Sequence, residues 1–313
     1  MESTLPNSVR YVKNGKGGQW WKTALADSQV HLGWKSVPHD LLLAPDFTRI
    51  KETIRAEFGS RQGATQDFNA LRDLLDAPSR HIWMTFQDSY MWWCTVLDGA
   101  IINPDGESSE KGNFWLACNR PWSNRSVKGD LLAILDLPGT VTTTAAFRAT
   151  VCTPPAWQAI LRIIQGQQNP DAAKAAQARA AYEHAILAIV QRLSPKDFEQ
   201  LIDHILTRTG WSRISTLGKQ REGIDVEAEN LAVGEIAFVQ VKSSATQTVL
   251  DDYVERFQQR RELYARMIFA VHSPSGRLEP PSELPEVQVW TGERVAELVV
   301  RVGLGEWVES RLA

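Results

Sequence analysis

The sequence predicts two folded domains of different class joined by helices. A mainly β, α+β domain covers residues 1–153, a helical connector covers 154–193, and an α/β domain with a mixed central sheet flanked by helices covers 194–313. Three observations carry this. At 313 residues the chain exceeds one average domain. Its first half is a series of short aromatic and β-branched runs punctuated by turn residues, holding eight of the twelve tryptophans. After Thr153-Pro154-Pro155 the composition turns alanine-rich and helical, and beyond Ser194 helices alternate with strands.

Taken in order, VRYV (9–12), HIWMTF (81–86), YMWWCTVL (90–97), NFWLAC (113–118), LLAILDL (131–137) and FRATVC (147–152) read as strands, separated by turns such as NGKGG, NPDG and DLPGT. DFTRIKETIRAEFG and QDFNALRDLLD interrupt them as helices, which suggests a small barrel or curled sheet with helical insertions. AWQAILRIIQG and DAAKAAQARAAYEHAILAIVQRL follow as two helices, the second favoured by its alanine content.

The C-terminal domain opens with SPKDFEQLIDHILTRTG, where Ser194 is the N-cap, Pro195 the first helical residue and Asp197 lies in the first turn. Phe198, Leu201, Ile202, Ile205 and Leu206 keep helical spacing and form a buried stripe, with Glu199 just off its edge. In GIDVEAEN, residues Ile224, Val226 and Ala228 point one way and Asp225, Glu227 and Glu229 the other. After the turn at Gly234, EIAFVQVK pairs back as a hairpin strand. Phe238, Gln240 and Lys242 share one face and Ala237, Val239 and Val241 the other, so both faces are apolar up to Gln240, as in a central strand covered on both sides. A lysine ending such a strand is either leaving the core for solvent or entering a cleft.

Composition narrows the function. The chain is 43% hydrophobic and 23% charged with a net charge of -3, which argues against a uniformly basic nucleic-acid-coating protein while leaving room for a local basic groove. Cys94, Cys118 and Cys152 form no CxxC pair, so neither a disulfide framework nor a zinc site is indicated. The first residues lack a signal peptide's apolar core and no run has membrane-spanning length, which together predict a cytoplasmic protein.

A carboxylate (Asp225), an amide oxygen (Gln240) and a lysine (Lys242) meeting at one sheet edge, with Glu199 above, suit metal-assisted phosphodiester hydrolysis. Each residue taken singly also has a plain reading, as part of a solvated strand face, a strand-end lysine or a helix-boundary carboxylate. In order, FEQLIDHILTRTGW, GIDV and VQVK resemble the Mrr-like branch of the PD-(D/E)xK nuclease superfamily over roughly residues 194–272. The resemblance implies a restriction-endonuclease-like fold and Mg2+ as cofactor. It makes Asp225 the metal-binding aspartate, Gln240 the residue in place of the superfamily's second carboxylate, Lys242 the catalytic lysine, and Glu199 with the Val241 carbonyl supplementary ligands. Glu222 is a further candidate for the metal.

VRYVKNGKGGQWWKTALADSQVHLGWKSVP is similar to the opening of the PUA-like and EVE-like domains that precede Mrr-like nucleases and read nucleic acid. Such a reader holds an extruded base between aromatic faces, and Trp20, Trp21, Trp34, Trp93 and Trp122 are the candidates, with Lys16 and Arg125 as phosphate contacts. In a β-rich domain most tryptophans are core. The adjacent pairs at 20–21 and 92–93 cannot both fill one core, because strand neighbours face opposite ways. The resulting expectation is a Mg2+-dependent endonuclease of restriction or phage-defence type acting on double-stranded DNA, with a modified cytosine as the economical target and a homodimer for double-strand cleavage. A restriction enzyme for an unmodified sequence and a non-cleaving nucleic-acid-binding protein are the alternatives.

Overall fold

Strands form where apolar residues run continuously or alternate, and the amphipathic stretches between them supply the helices that cover the sheets. The computed structural model describes residues 5–59, 62–147, 149–214 and 226–312. The chain divides into two compact units, Met1–Pro170 and Asp171–Ala313.

The first unit runs β1 (Val9–Val12), α1 (Trp21–Ala26), β2 (Gln29–Leu32), α2 (His39–Leu43), α3 (Phe47–Phe58), α4 (Gln62–Leu75), β3 (Ile82–Gln87), β4 (Tyr90–Ile102), β5 (Phe114–Ser123), α5 (Gly139–Thr142), β6 (Val151–Cys152) and α6 (Trp157–Ile164). Its strands form one six-stranded sheet in the order β2-β5-β4-β3-β1-β6, in which β1 and β3 are parallel and the other pairs antiparallel. Alternation along β3 and β4 divides the core between two faces. Trp83, Cys94 and Val96 join the side chains of α2, α3 and α4 on one, while Ile82, Met84, Met91 and Trp93 join Ile160 and Ile164 of α6 on the other. The run 131–137, expected as a strand, instead makes a 3-10 turn at Ile134–Asp136 with isolated bridges at Leu131 and Ala133. Leu132 is buried and Leu137 packs on the same core, whereas Leu131 and Leu135 face solvent, so only part of this apolar run is covered. The short edge strand β2 was not expected from the sequence.

The second unit runs α7 (Pro170–Val190), α8 (Pro195–Arg208), β7 (Trp211–Arg213), β8 (Val226–Asn230), β9 (Glu235–Lys242), α9 (Gln247–Gln258), β10 (Arg266–Val271), β11 (Val287–Thr291), α10 (Gly292–Arg301) and α11 (Gly305–Glu309). Its five-stranded sheet has the order β11-β10-β9-β8-β7, with β9, β10 and β11 parallel and β7, β8 and β9 antiparallel, a mixed sheet. Helices α8 and α10 cover the face that carries Ala237, Val239 and Val241. Helix α9 covers the face that carries Phe238, Met267, Phe269 and Val271. Of the segment expected as a connector, α6 buries Ile160 and Ile164 in the first unit, and α7 buries Ile186 and Val190 in the second.

Candidate active site

Strand β9 is the middle of its sheet, and the period of two fixes where its polar residues go. Gln240 falls on the α9 face, opposite Phe269 of β10, and is 1% exposed. Lys242 follows on the same face, opposite Val271 at the carboxyl end of the strand, and is half-buried. Its Nζ stands 5.5 Å from the centroid of the Tyr253 ring of α9. The Arg256 guanidinium carbon lies 4.9 Å from that same centroid. Tyr253 is packed in turn on Phe238 and Phe269 at 6.3 and 5.8 Å. The lysine thus leaves the core along an aromatic wall, with its stem packed and its ammonium at the rim. Tyr253 and Arg256 were not singled out by sequence reasoning. Their signal is the placement of α9 directly after the strand that ends in Lys242.

Asp225 and Glu222 lie outside the described residues. The residue after Asp225, Val226, begins β8 and pairs with Val239, while Glu227 pairs with Phe238 and its carboxylate accepts a hydrogen bond from the Tyr264 hydroxyl on the α9 side. Glu199 is in the first turns of α8, the helix that covers the opposite face of the sheet. Its Oε1 is 3.8 Å from Arg213 Nη2 on β7, and Asp203 Oδ1 lies at the same distance from Arg213 Nη1. The structure therefore brings Gln240 and Lys242 together, with Glu199 facing a basic residue on the edge strand.

Next to Lys242 the α8 face ends in two buried polar groups. His272 is 5% exposed, its ring packs edge-on against Phe198 at 4.6 Å, and its Nδ1 shares a hydrogen bond with Ser273 Oγ at 2.9 Å. Burial pushes its pKa down, so the imidazole is neutral at pH 7. His272 Nε2 and Ser243 Oγ are buried without a hydrogen-bond partner among the described residues.

Among the described residues no three His, Cys, Asp or Glu side chains converge into a metal-binding group; of the expected donors, Asp225 lies outside the described residues and Glu199 is a carboxylate facing Arg213. The remaining donors, an amide oxygen and a main-chain carbonyl, are hard oxygens, with neither cysteine nor histidine among them. That donor chemistry fits Mg2+ and not a soft or zinc-type ion.

In the first unit the five candidate tryptophans are buried. Trp20, Trp21, Trp34 and Trp122 are 4 to 6% exposed and Trp93 is 1% exposed. Four of the five satisfy their polar edges within the fold: Trp20 Nε1 donates to Ser108 O, Trp21 to Asp88 Oδ2, Trp93 to Arg125 O and Trp122 to Gln29 O, at 2.7 to 3.0 Å. Trp21 packs edge-on against Trp92 and Trp122 at 5.2 and 5.3 Å. The neighbours Trp92 and Trp93 face opposite sides of the sheet. Lys16 is exposed beside Gly15, Gly17 and Gly18, whose φ values of 81, 64 and 80° require glycine-like backbone freedom. Arg125 is exposed, with its Nη1 donating to Gly129 O at 2.9 Å.

No curated protein and no solved structure matches the chain. Among the described residues no helix is long and apolar enough to cross a membrane. Residues 190–299, the segment that holds Glu199, Gln240 and Lys242, match the family model of the Mrr catalytic domain, a restriction endonuclease, so the C-terminal part of the chain is similar to Mrr-like nucleases and this supports a restriction-type nuclease with DNA as its substrate.

Proposed function

We propose that the protein is a Mg2+-dependent DNA endonuclease of restriction or defence type, in which the C-terminal unit cuts and the N-terminal unit reads. The observation that carries this is the placement of Gln240 and Lys242 on one face at the end of a buried central strand, inside the segment that matches the restriction-endonuclease model. Asp225, Gln240 and the Val241 carbonyl would hold the ion, with Glu199 as a supplementary ligand. Bound Mg2+ polarises the scissile phosphate and lowers the pKa of a water. Lys242 supplies a fixed positive charge to the attacking oxygen and to the phosphate oxygens as negative charge builds up on them, at the rim of an apolar wall where a charge counts for more than in open water. Gln240 is buried at that strand end, so its amide would meet the ion away from open solvent.

The N-terminal unit is a PUA-like reader in this proposal, and modification-dependent cleavage, with altered cytosine as target, is the use that best explains a reader fused to a nuclease. A double-strand cut needs two active sites, which calls for a homodimer. Incubation with Mg2+ and plasmids carrying unmodified, methylated or hydroxymethylated cytosine, with EDTA controls, tests the whole reading. Mg2+-dependent cutting confined to modified DNA is expected. Cutting of all plasmids points to an unmodified recognition sequence, and binding without cutting removes the nuclease assignment.

A further inference from the structure

Helices α3 and α4 each bury one stripe and expose the next. Ile50 and Ile54 of α3 and Ala64, Leu71 and Leu74 of α4 are buried in the same core. One residue further round, about 100° on a helix, come Lys51 and Arg55 on α3 and Thr65 and Arg72 on α4, all exposed. These flanking rows line a cleft of about 660 Å3 between the two helices, together with Phe68 and Asn69.

The charge of the cleft is uncompensated. Neighbouring cations of this unit are in ion pairs, Arg10 with Asp73 and Arg49 with Asp40. Among the described residues Lys51, Arg55 and Arg72 have no ion pair, and the other polar side chains in the lining are Thr65 and Asn69. Phe68 forms part of the wall, packed on the core, and Lys51 Nζ lies 5.6 Å from its ring centroid, a contact that holds the ammonium at the cleft. Three like charges directed into one cleft repel one another, and an anion relieves that repulsion. Two facing rows, with Lys51 and Arg55 one helical turn apart, suit a run of phosphates better than a single one.

We infer that the α3–α4 cleft is a sequence-independent binding site for the phosphate backbone of duplex DNA, separate from the aromatic residues expected to read a base. The choice of DNA rests on the nuclease reading above, since the same cations would also take the phosphates of a free nucleotide. The net charge of -3 makes such a local site necessary for a chain whose substrate is a polyanion.

The test is fluorescence anisotropy of a labelled duplex with the full-length protein in EDTA, over a range of salt concentrations, comparing wild type with the triple variant Lys51→Gln, Arg55→Gln, Arg72→Gln. These side chains are exposed, so the melting temperature is expected to hold and is measured alongside. The variant should bind about tenfold or more weakly and lower the slope of log affinity against log salt by about 2 to 3, one phosphate contact per cation. An unchanged slope and affinity overturns the cleft, as does a wild-type protein that binds no duplex. Displacement of the duplex by micromolar mononucleotide would reassign the cleft to a free nucleotide and also overturn it. Because binding is read without metal, the nuclease reading stands or falls separately: a protein that never cuts but shows the predicted loss keeps the cleft and loses the catalytic assignment.

Discussion

Lys242 combines a packed stem with an ammonium at the rim of an aromatic wall, and this makes its substitution diagnostic. Lys242→Ala removes a charge and little buried surface, so it should abolish Mg2+-dependent cleavage while the melting temperature and DNA affinity hold. Asp225→Ala should do the same. Cleavage by either variant within about tenfold of wild type, some 1.4 kcal/mol of transition-state stabilisation, would refute the assignment. Glu199→Ala should cost less, because Glu199 is already engaged by Arg213 and water can replace a supplementary ligand. Gln240→Glu places a carboxylate in a 1% exposed position and should retain activity only where Mg2+ is present to pair with it, which a Mg2+ titration of cleavage reads directly. His31 gives a pH prediction of its own. It is fully buried, its Nδ1 accepts from the Gly112 N–H, and burial lowers its pKa to about 4 from the ordinary 6.5. The folded state therefore binds the proton more weakly than the unfolded chain. The stability this contributes is present above pH 6.5 and lost as the pH falls towards 4, by about 3 kcal/mol for the first unit. His81 is shifted in the same direction and adds to that loss, and His272, also shifted down, contributes an acid-side loss to the second unit. An NMR titration of the His31 ring should show a midpoint near 4, and a midpoint near 6.5 would mean that the ring is solvated.

Elements whose sequence carries a period were legible, and those defined by neighbours far along the chain were not. The stripe from Phe198 to Leu206 forms α8, and Ser194 caps it, with Oγ accepting the Asp197 N–H at 3.1 Å. Ser194→Ala should cost about 1 kcal/mol, measured by denaturant unfolding of the second unit. The β8–β9 hairpin was legible for a related reason: alternation separates Val226 and Ala228 from Glu227 and Glu229, and Gly234 turns the chain with φ 69°. By contrast β2 and β7, edge strands of four and three residues, were not read as strands from the sequence. The run 131–137 shows the reverse case, apolar residues whose local pattern suits a strand but which find no partner strand. Of the residues expected to be catalytic, Gln240 and Lys242 share a face of β9 as the alternation predicts, whereas the Arg213 partner of Glu199 depends on an edge strand that the sequence did not reveal. Tryptophan content predicted aromatic surfaces without saying which were covered. Trp21→Ala and Trp34→Ala remove buried rings and should each destabilise the first unit by about 3 to 5 kcal/mol. A variant that weakens DNA binding by about 1 to 3 kcal/mol at an unchanged melting temperature would instead mark a stacking face.

At the scale of the molecule, each unit closes its own cores: among the described residues, the buried clusters of Met1–Pro170 contain none from the second unit, and those of Asp171–Ala313 none from the first. Cooperative folding follows contiguous burial, so each unit should fold without the other. Fragments ending at Pro170 and beginning at Asp171, expressed separately, should each melt in a single transition at a temperature close to one seen in the intact chain. Their activities should then divide. The first fragment holds the α3–α4 cleft and the proposed reader, and should bind DNA without cutting it. The second holds Gln240 and Lys242, and should cut with Mg2+ but need more enzyme and lose its preference among modified and unmodified plasmids, because only the chemistry remains. Joining two binding surfaces in one chain raises the effective concentration of the second once the first is bound. The intact protein should therefore bind more tightly than the sum of the two fragments mixed in solution. If the second fragment alone cuts with the affinity and preference of the whole chain, the first unit contributes nothing to target choice, and recognition must lie within residues 171–313.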